Sequence, residues 1–212
     1  MGTGWLEAEH SAYGFPFPPL RERFAELEEQ LQLVSLHWRD EPFSFDGRRY
    51  KVRDLDALPK PIQRPRPNVI LGGRGGSRSI AVGVRFADEY NTFHRTADEC
   101  AVIRRELDDA SAEHGRDPLP LSLMTGWVVG EDRAELLDRA GRLAEWRGHP
   151  DGAAGLLDSI DDSWIVGTLD EATEQLRRLA AAGVERVMLQ HLLHKDLDAV
   201  AQIGGQVVPA VA

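Results

Sequence analysis

An apolar segment, Asn68-Val69-Ile70-Leu71, runs straight into Gly72-Gly73-Arg74-Gly75-Gly76-Ser77 and then into a helical stretch, Arg78 to Phe86. Glycines there let backbone N–H groups come close to an anion. The helix N-terminus adds a partial positive charge, and Arg74 can add a full one. The loop is not a P-loop, because no lysine follows its second glycine pair. Nor is it the dinucleotide fingerprint, since Arg78 stands where the third glycine should be. Two readings stay open at this point: a cradle for a phosphate, and a tight structural turn.

Three other places could take part in chemistry. Gly2-Thr3-Gly4-Trp5 looks like the tail of a strand and its exit loop, with glycines that would admit a planar ligand. A frayed terminus is the alternative. His191 and His194 follow the last apolar strand, and His191 is a candidate substrate contact, with Thr125 and Trp127 as further positions to test. No carboxylate lies at a metal-site interval from the two histidines, so no metal site is expected. No Ser-His-Asp or Cys-His arrangement is legible, and Cys100 falls within a helix and reads as core. Catalytic residues are therefore not identified from the residues alone.

The elements that must position these groups follow from periodicity. Leu20, Phe24, Leu27, Leu31, Val34 and Trp38 are spaced as one helical stripe, with Pro18 and Pro19 in its first turn. Residues 43–53 alternate apolar and polar about Asp46-Gly47, which predicts a β-hairpin. Pro59, Pro61, Pro65 and Pro67 make the next stretch extended. After the strand at 68–71, a second strand is expected near Ala87–Asn91. Thr96 and Glu99 then form a capping box for a helix with Cys100, Ile103, Leu107 and Ala110 inward. Gly115-Arg116-Asp117-Pro118 stops that helix, and a strand lies within Leu119–Val129. Asp132 and Glu135 open a helix carrying Leu136, Leu137, Ala140 and Leu143, and residues 148–163 read as a loop with helical turns. Thr168 and Glu171 cap a helix that runs to Gly183, and a strand at Arg186–Gln190 precedes a helix from about Asp196 to Ile203. From residue 68 the order is β-α-β-α-β-α-α-β-α, which predicts parallel strands with helices outside and a ligand at the C-terminal ends of the strands.

Composition excludes other classes. The chain has 35 acidic and 25 basic side chains, a net charge of −10, which argues against a phosphate-backbone binder and so against nucleic acid. No apolar run is long enough to span a membrane. One cysteine excludes a disulfide framework and fits a reducing cytoplasm.

Gly2-Thr3-Gly4-Trp5-Leu6-Glu7-Ala8-Glu9 and Tyr13-Gly14-Phe15-Pro16-Phe17-Pro18-Pro19-Leu20-Arg21-Glu22-Arg23 resemble the middle of a luciferase-like oxidoreductase, most of all the branch that uses coenzyme F420. Leu58 through Pro67, Ile70-Leu71-Gly72-Gly73, Ala87 through Asn91, Trp164 through Thr168 and Gly183 through Val187 continue the likeness in order over nearly the whole chain. The resemblance implies an α/β fold: a partial TIM-type (β/α) barrel, roughly its second half, in one incomplete domain over 1–212. It implies hydride transfer to or from a deazaflavin, with an FMN-dependent monooxygenase as the alternative and a small molecule as substrate. Thr3 and Gly4 would touch the cofactor. Gly72, Gly73, Gly75, Gly76 and Ser77 would hold its phosphate-bearing tail. Trp5 stands where some members carry an acidic proton-transfer residue. Set against the family, the chain starts at the end of the fourth barrel strand. The expectation is therefore a fragment of a longer reading frame, or a chain completed in a homo-oligomer or by a partner. A non-catalytic half-barrel module is the third reading.

Overall fold

In the computed structural model, which describes residues 1–211, the alternating elements resolve into one parallel sheet with helices on its outer side. Strands β3 (Ile70–Gly72), β4 (Glu89–Phe93) and β5 (Leu121–Gly130) are neighbours in that order. Beside β4, β5 is long enough to serve two further strands on its other edge. Its first half, Ser122–Gly126, pairs with β7 (Arg186–Gln190), and its second half, Trp127–Gly130, pairs with β6 (Ile165–Thr168). β3 and β7 do not pair with each other, so the barrel is open. Met1 extends the sheet beyond β3 by one residue: its amine donates to Ile70 O at 2.6 Å, and Gly72 N–H donates to Met1 O at 2.7 Å.

The period-two alternation of the strands separates two faces. Leu71, Tyr90, Leu121 and Leu123 are buried in one core with Ile80 and Val84 of α3 (Ser77–Phe86) and Ile103 and Leu107 of α4 (Ala97–Glu113). The alternate positions meet across the sheet. The Asn91 amide donates to Ser122 Oγ at 2.9 Å and lies 3.9 Å from Met188 Sδ, and Arg186 pairs with Glu89 at 3.3 Å. β4 and β7 flank β5, so side chains from them can touch only on the inside of a curved sheet. That inner, concave face carries Glu89, Asn91, Ser122 and Arg186 beside Met188.

Local signals decide several helix ends. Thr96 accepts the Glu99 N–H and Glu99 accepts the Thr96 N–H at the start of α4. The same reciprocal pair, Thr168 and Glu171, opens α7 (Leu169–Ala181). Gly183, at φ +87°, follows that helix as its left-handed stop. Replacing Thr168 with alanine is expected to cost about 1 kcal/mol, read as a lower urea midpoint with unchanged slope; no change in midpoint would show that the box does not bear on global stability.

Several expectations are corrected. The stripe helix α2 spans Leu20–His37 with Pro19 as its N-cap rather than in its first turn, and Leu20 is exposed. The expected hairpin of β1 (Phe43–Asp46) and β2 (Lys51–Leu55) is present and turns through four residues, where the Glu29 carboxylate of α2 accepts the N–H groups of Arg49 and Tyr50, each at 2.8 Å. β4 starts two residues later than Ala87. The Asp88 carboxylate is occupied by Arg66 and by the Val69 N–H at 2.8 Å, which makes Ala87-Asp88 the turn into the strand. On α5 (Arg133–Arg147) Leu136, Ala140 and Leu143 are buried, but Leu137 faces solvent. Segment 148–163 contains a regular helix, α6 (Gly152–Ser159), and β6 was not in the expected order. α1 (Glu7–Tyr13), also unanticipated, buries no residue. The last helix, α8 (Leu197–Gln202), continues as a π-helical turn, Ile203–Val207, and then α9 (Val208–Val211). No helix of the described residues is long and apolar enough to cross a membrane.

Candidate functional site

The glycine loop leaves the C-terminal end of β3 and enters α3, at the mouth of the open barrel where the expected ligand would lie. Its glycines have different reasons to be there. A Cβ on Gly73 would stand 2.1 Å from Ser79 Oγ and 2.3 Å from the Tyr90 hydroxyl. Gly75 sits at φ +82°, and a Cβ there would meet Ile103 at 2.6 Å. These two glycines answer the protein's own packing, as the structural-turn reading requires. Gly76 is different. It has φ −69°, which any residue adopts, and a Cβ on it would meet nothing within 4 Å.

Gly76 is also the N-cap of α3, and it lends no side chain to the helix end. The Ile80 N–H donates to Gly76 O at 3.0 Å, so the N–H groups of Ser77, Arg78 and Ser79 have no intrahelical acceptor. Two arginines stand near. The Arg74 guanidinium lies over the Phe93 ring, 5.3 Å from its centroid, and forms no carboxylate pair among the described residues. Arg95 donates to Arg74 O at 3.4 Å and pairs with Glu99 at 3.2 Å. Free N–H groups, positive charge and open space at Gly76 suit a phosphate group.

The N-terminal tail reaches the same strand end. A Cβ on Gly2 would lie 3.3 Å from Gly72 O. Gly4, at φ +73°, has its carbonyl held by Arg23 Nη1 at 2.5 Å, and the Thr3 hydroxyl donates to Gly4 O at 3.3 Å. Thr3 and Gly4 line a 370 Å³ pocket with His10, Phe15, Arg23 and Gln30. The structure thus sets the Gly2–Gly4 tail beside Gly72. Trp5 is 79% exposed.

Other candidates divide. Beyond β7, His191 is half-buried and His194 is exposed, and no group of three or more potential metal ligands exists among the described residues. Thr125 is fully buried and donates its hydroxyl to Ser163 O, while Trp127 is part of the core, so both are packing residues. Burial pushes the Cys100 thiol up to about 11, which keeps it unreactive. A further histidine, His94, stands at the mouth with no motif in the sequence to mark it. It follows β4 directly in a left-handed backbone (φ +46°) and stacks on Trp164, centroids 5.7 Å apart. Trp164 in turn lies over Gly126, where a Cβ would be 2.0 Å from its ring. The Ser163 hydroxyl and N–H hold the Asp161 carboxyl below its ordinary value, and His94 adds to that. Placing the strand end at Phe93 rather than Asn91 would have put His94 at the mouth.

Residues 1–186 match the family described as luciferase-like monooxygenase. Over 99% of its length the chain is 25% identical to an FMNH2-dependent dimethylsulfone monooxygenase of Pseudomonas putida, of which it covers 64%. It spans less than two thirds of the length of the curated relatives it matches first. A monooxygenase from Streptomyces bottropensis superposes with a TM-score of 0.81 at 18% identity, over 100% of this chain and 68% of that one. The coenzyme F420-dependent tetrahydromethanopterin reductase of Methanopyrus kandleri superposes with a TM-score of 0.80 at 18% identity, over 100% and 73%. Both likenesses show the fold: a TIM-type barrel, left open in this chain.

Proposed function

Because the chain belongs to the luciferase-like monooxygenase family, we propose that it serves as a coenzyme F420-dependent oxidoreductase acting on a small molecule, with 1–212 as one incomplete barrel domain. A homo-oligomer or a partner chain would cover its concave face. The observation that carries the reading is Gly76, a glycine of the loop that neither backbone conformation nor packing demands, at a helix end with free N–H groups. The backbone of Gly76 and Ser77 would hold the cofactor's phosphate, and the unpaired Arg74 would add charge. Gly72 and Gly73 form the strand end that places this loop, and Gly75 turns it. Thr3 and Gly4, beside Gly72, would border the cofactor. When bound, the deazaflavin supplies the hydride chemistry, and the protein positions it.

FMN is the second reading. It is favoured by the match to an FMNH2-dependent relative over 99% of this chain. A non-catalytic binding module is the third, favoured by the open concave face. Titration of F420 and of FMN against the protein, followed by fluorescence, separates them. One of the two is expected to bind with a dissociation constant below about 100 μM. Failure of both would leave the non-catalytic module.

A further inference from the structure

Tyr90 lies in the middle of β4, in register with Leu71 of β3, and its side chain is fully buried. Its hydroxyl reaches the strand end. There it accepts the Gly75 N–H at 3.0 Å and shares a hydrogen bond with Ser79 Oγ at 2.8 Å. Two glycines clear its path: a Cβ would stand 2.3 Å from the hydroxyl at Gly73 and 3.0 Å from ring atom Cδ2 at Gly83. Burial raises the phenol's pKa, so the group remains neutral and keeps its hydrogen. One hydroxyl therefore joins β4, the left-handed Gly75 and the first turn of α3.

We propose that Tyr90 is a positioning residue for the cofactor's phosphate: its hydroxyl holds the Gly75–Ser77 backbone in the shape that presents free N–H groups. This rests on the reading of the loop as a phosphate cradle. A loop already fixed in its binding shape loses little freedom when the ligand arrives, and that difference appears as affinity. A residue that merely fills the core would support every ligand equally. A brace on the phosphate loop supports only ligands that carry a phosphate.

Two ligand pairs differ in that group: FMN and riboflavin, and F420 and its phosphate-free ribityl deazaflavin. Each is titrated against wild type, Tyr90→Phe and the milder Ser79→Ala, which guards against a variant that does not fold. Wild type is expected to prefer the phosphate-bearing member. Tyr90→Phe should lose about ten-fold in affinity for that member while keeping its affinity for the phosphate-free one, with Ser79→Ala between. Backbone amide exchange at Gly75–Ser77 should quicken in Tyr90→Phe while that of β5 stays unchanged. Equal losses for both members of a pair, or unchanged affinity for the phosphate-bearing one, would overturn the role of Tyr90. No preference in wild type would overturn the phosphate cradle itself, and the inference with it.

Discussion

Arg139→Met is expected to destabilise the protein by about 3 kcal/mol, the low end for breaking a buried ion pair. Arg139 is 2% exposed on α5. It donates to Asp196 Oδ2 at 3.1 Å, to Val129 O at 2.7 Å and to Gln202 Oε1 at 2.7 Å, and pairs with Glu135 at 3.0 Å. These bonds fasten α8 to α5 and to the far half of β5. Methionine keeps the length but leaves Asp196 buried with Arg142 as its remaining cation, at 2.7 Å. Arg142 is the reason to expect the low end. Asp196→Asn added to Arg139→Met should recover part of the loss, since the stranded charge goes while an acceptor for the Ala199 N–H remains. A loss under about 1 kcal/mol in urea unfolding would show that the network contributes little.

The same cluster sets an acid limit. Burial pushes the Asp196 carboxyl up, but the Ala199 N–H and the guanidiniums of Arg139 and Arg142 outweigh it and bring it from 3.8 to about 2. A group held down in the folded state stabilises it above its unfolded value. Its contribution is therefore full above about pH 4 and is lost as pH falls toward 2. Asp196→Asn removes that part of the acid dependence.

Signals contained in a few consecutive residues were readable. The boxes at Thr96–Glu99 and Thr168–Glu171 and the stop at Gly183 stand where their spacing put them, because each is completed within one turn. Features set by a distant side chain were not. Asp46-Gly47 marks the hairpin, but its four-residue turn is shaped by Glu29, on another element. β6 escaped notice because Ile165–Thr168 is short and pairs only with the upper half of β5, a register that exists once β5 runs to ten residues. In the glycine loop, composition suggested one purpose for every glycine. Ser79, Tyr90 and Ile103 divide them: Gly73 and Gly75 serve packing, and Gly76 does not. The family likeness carried the fold as far as the open barrel, while the catalytic groups stayed illegible because no motif in the chain spells one.

Gly76→Ala and Gly73→Ala should part company. At Gly76 the backbone is already in a region alanine prefers, and the added methyl meets no protein atom within 4 Å. Alanine is a poorer N-cap than glycine by a few tenths of a kcal/mol to about 1, while the unfolded chain loses freedom worth about 0.4–1 kcal/mol. The two effects nearly cancel, so the melting temperature should hardly move. The methyl nevertheless occupies the space in front of the free N–H groups, where a phosphate oxygen would have to come within about 3 Å. Affinity for the phosphate-bearing cofactor should fall at least about ten-fold. At Gly73 the methyl collides with Ser79 and Tyr90, both buried and bonded to each other. Overpacking of that kind costs about 1–3 kcal/mol, so Gly73→Ala should lose stability and binding together. A Gly76→Ala protein that binds F420 and FMN as tightly as wild type would place the phosphate elsewhere, whatever Gly73→Ala does.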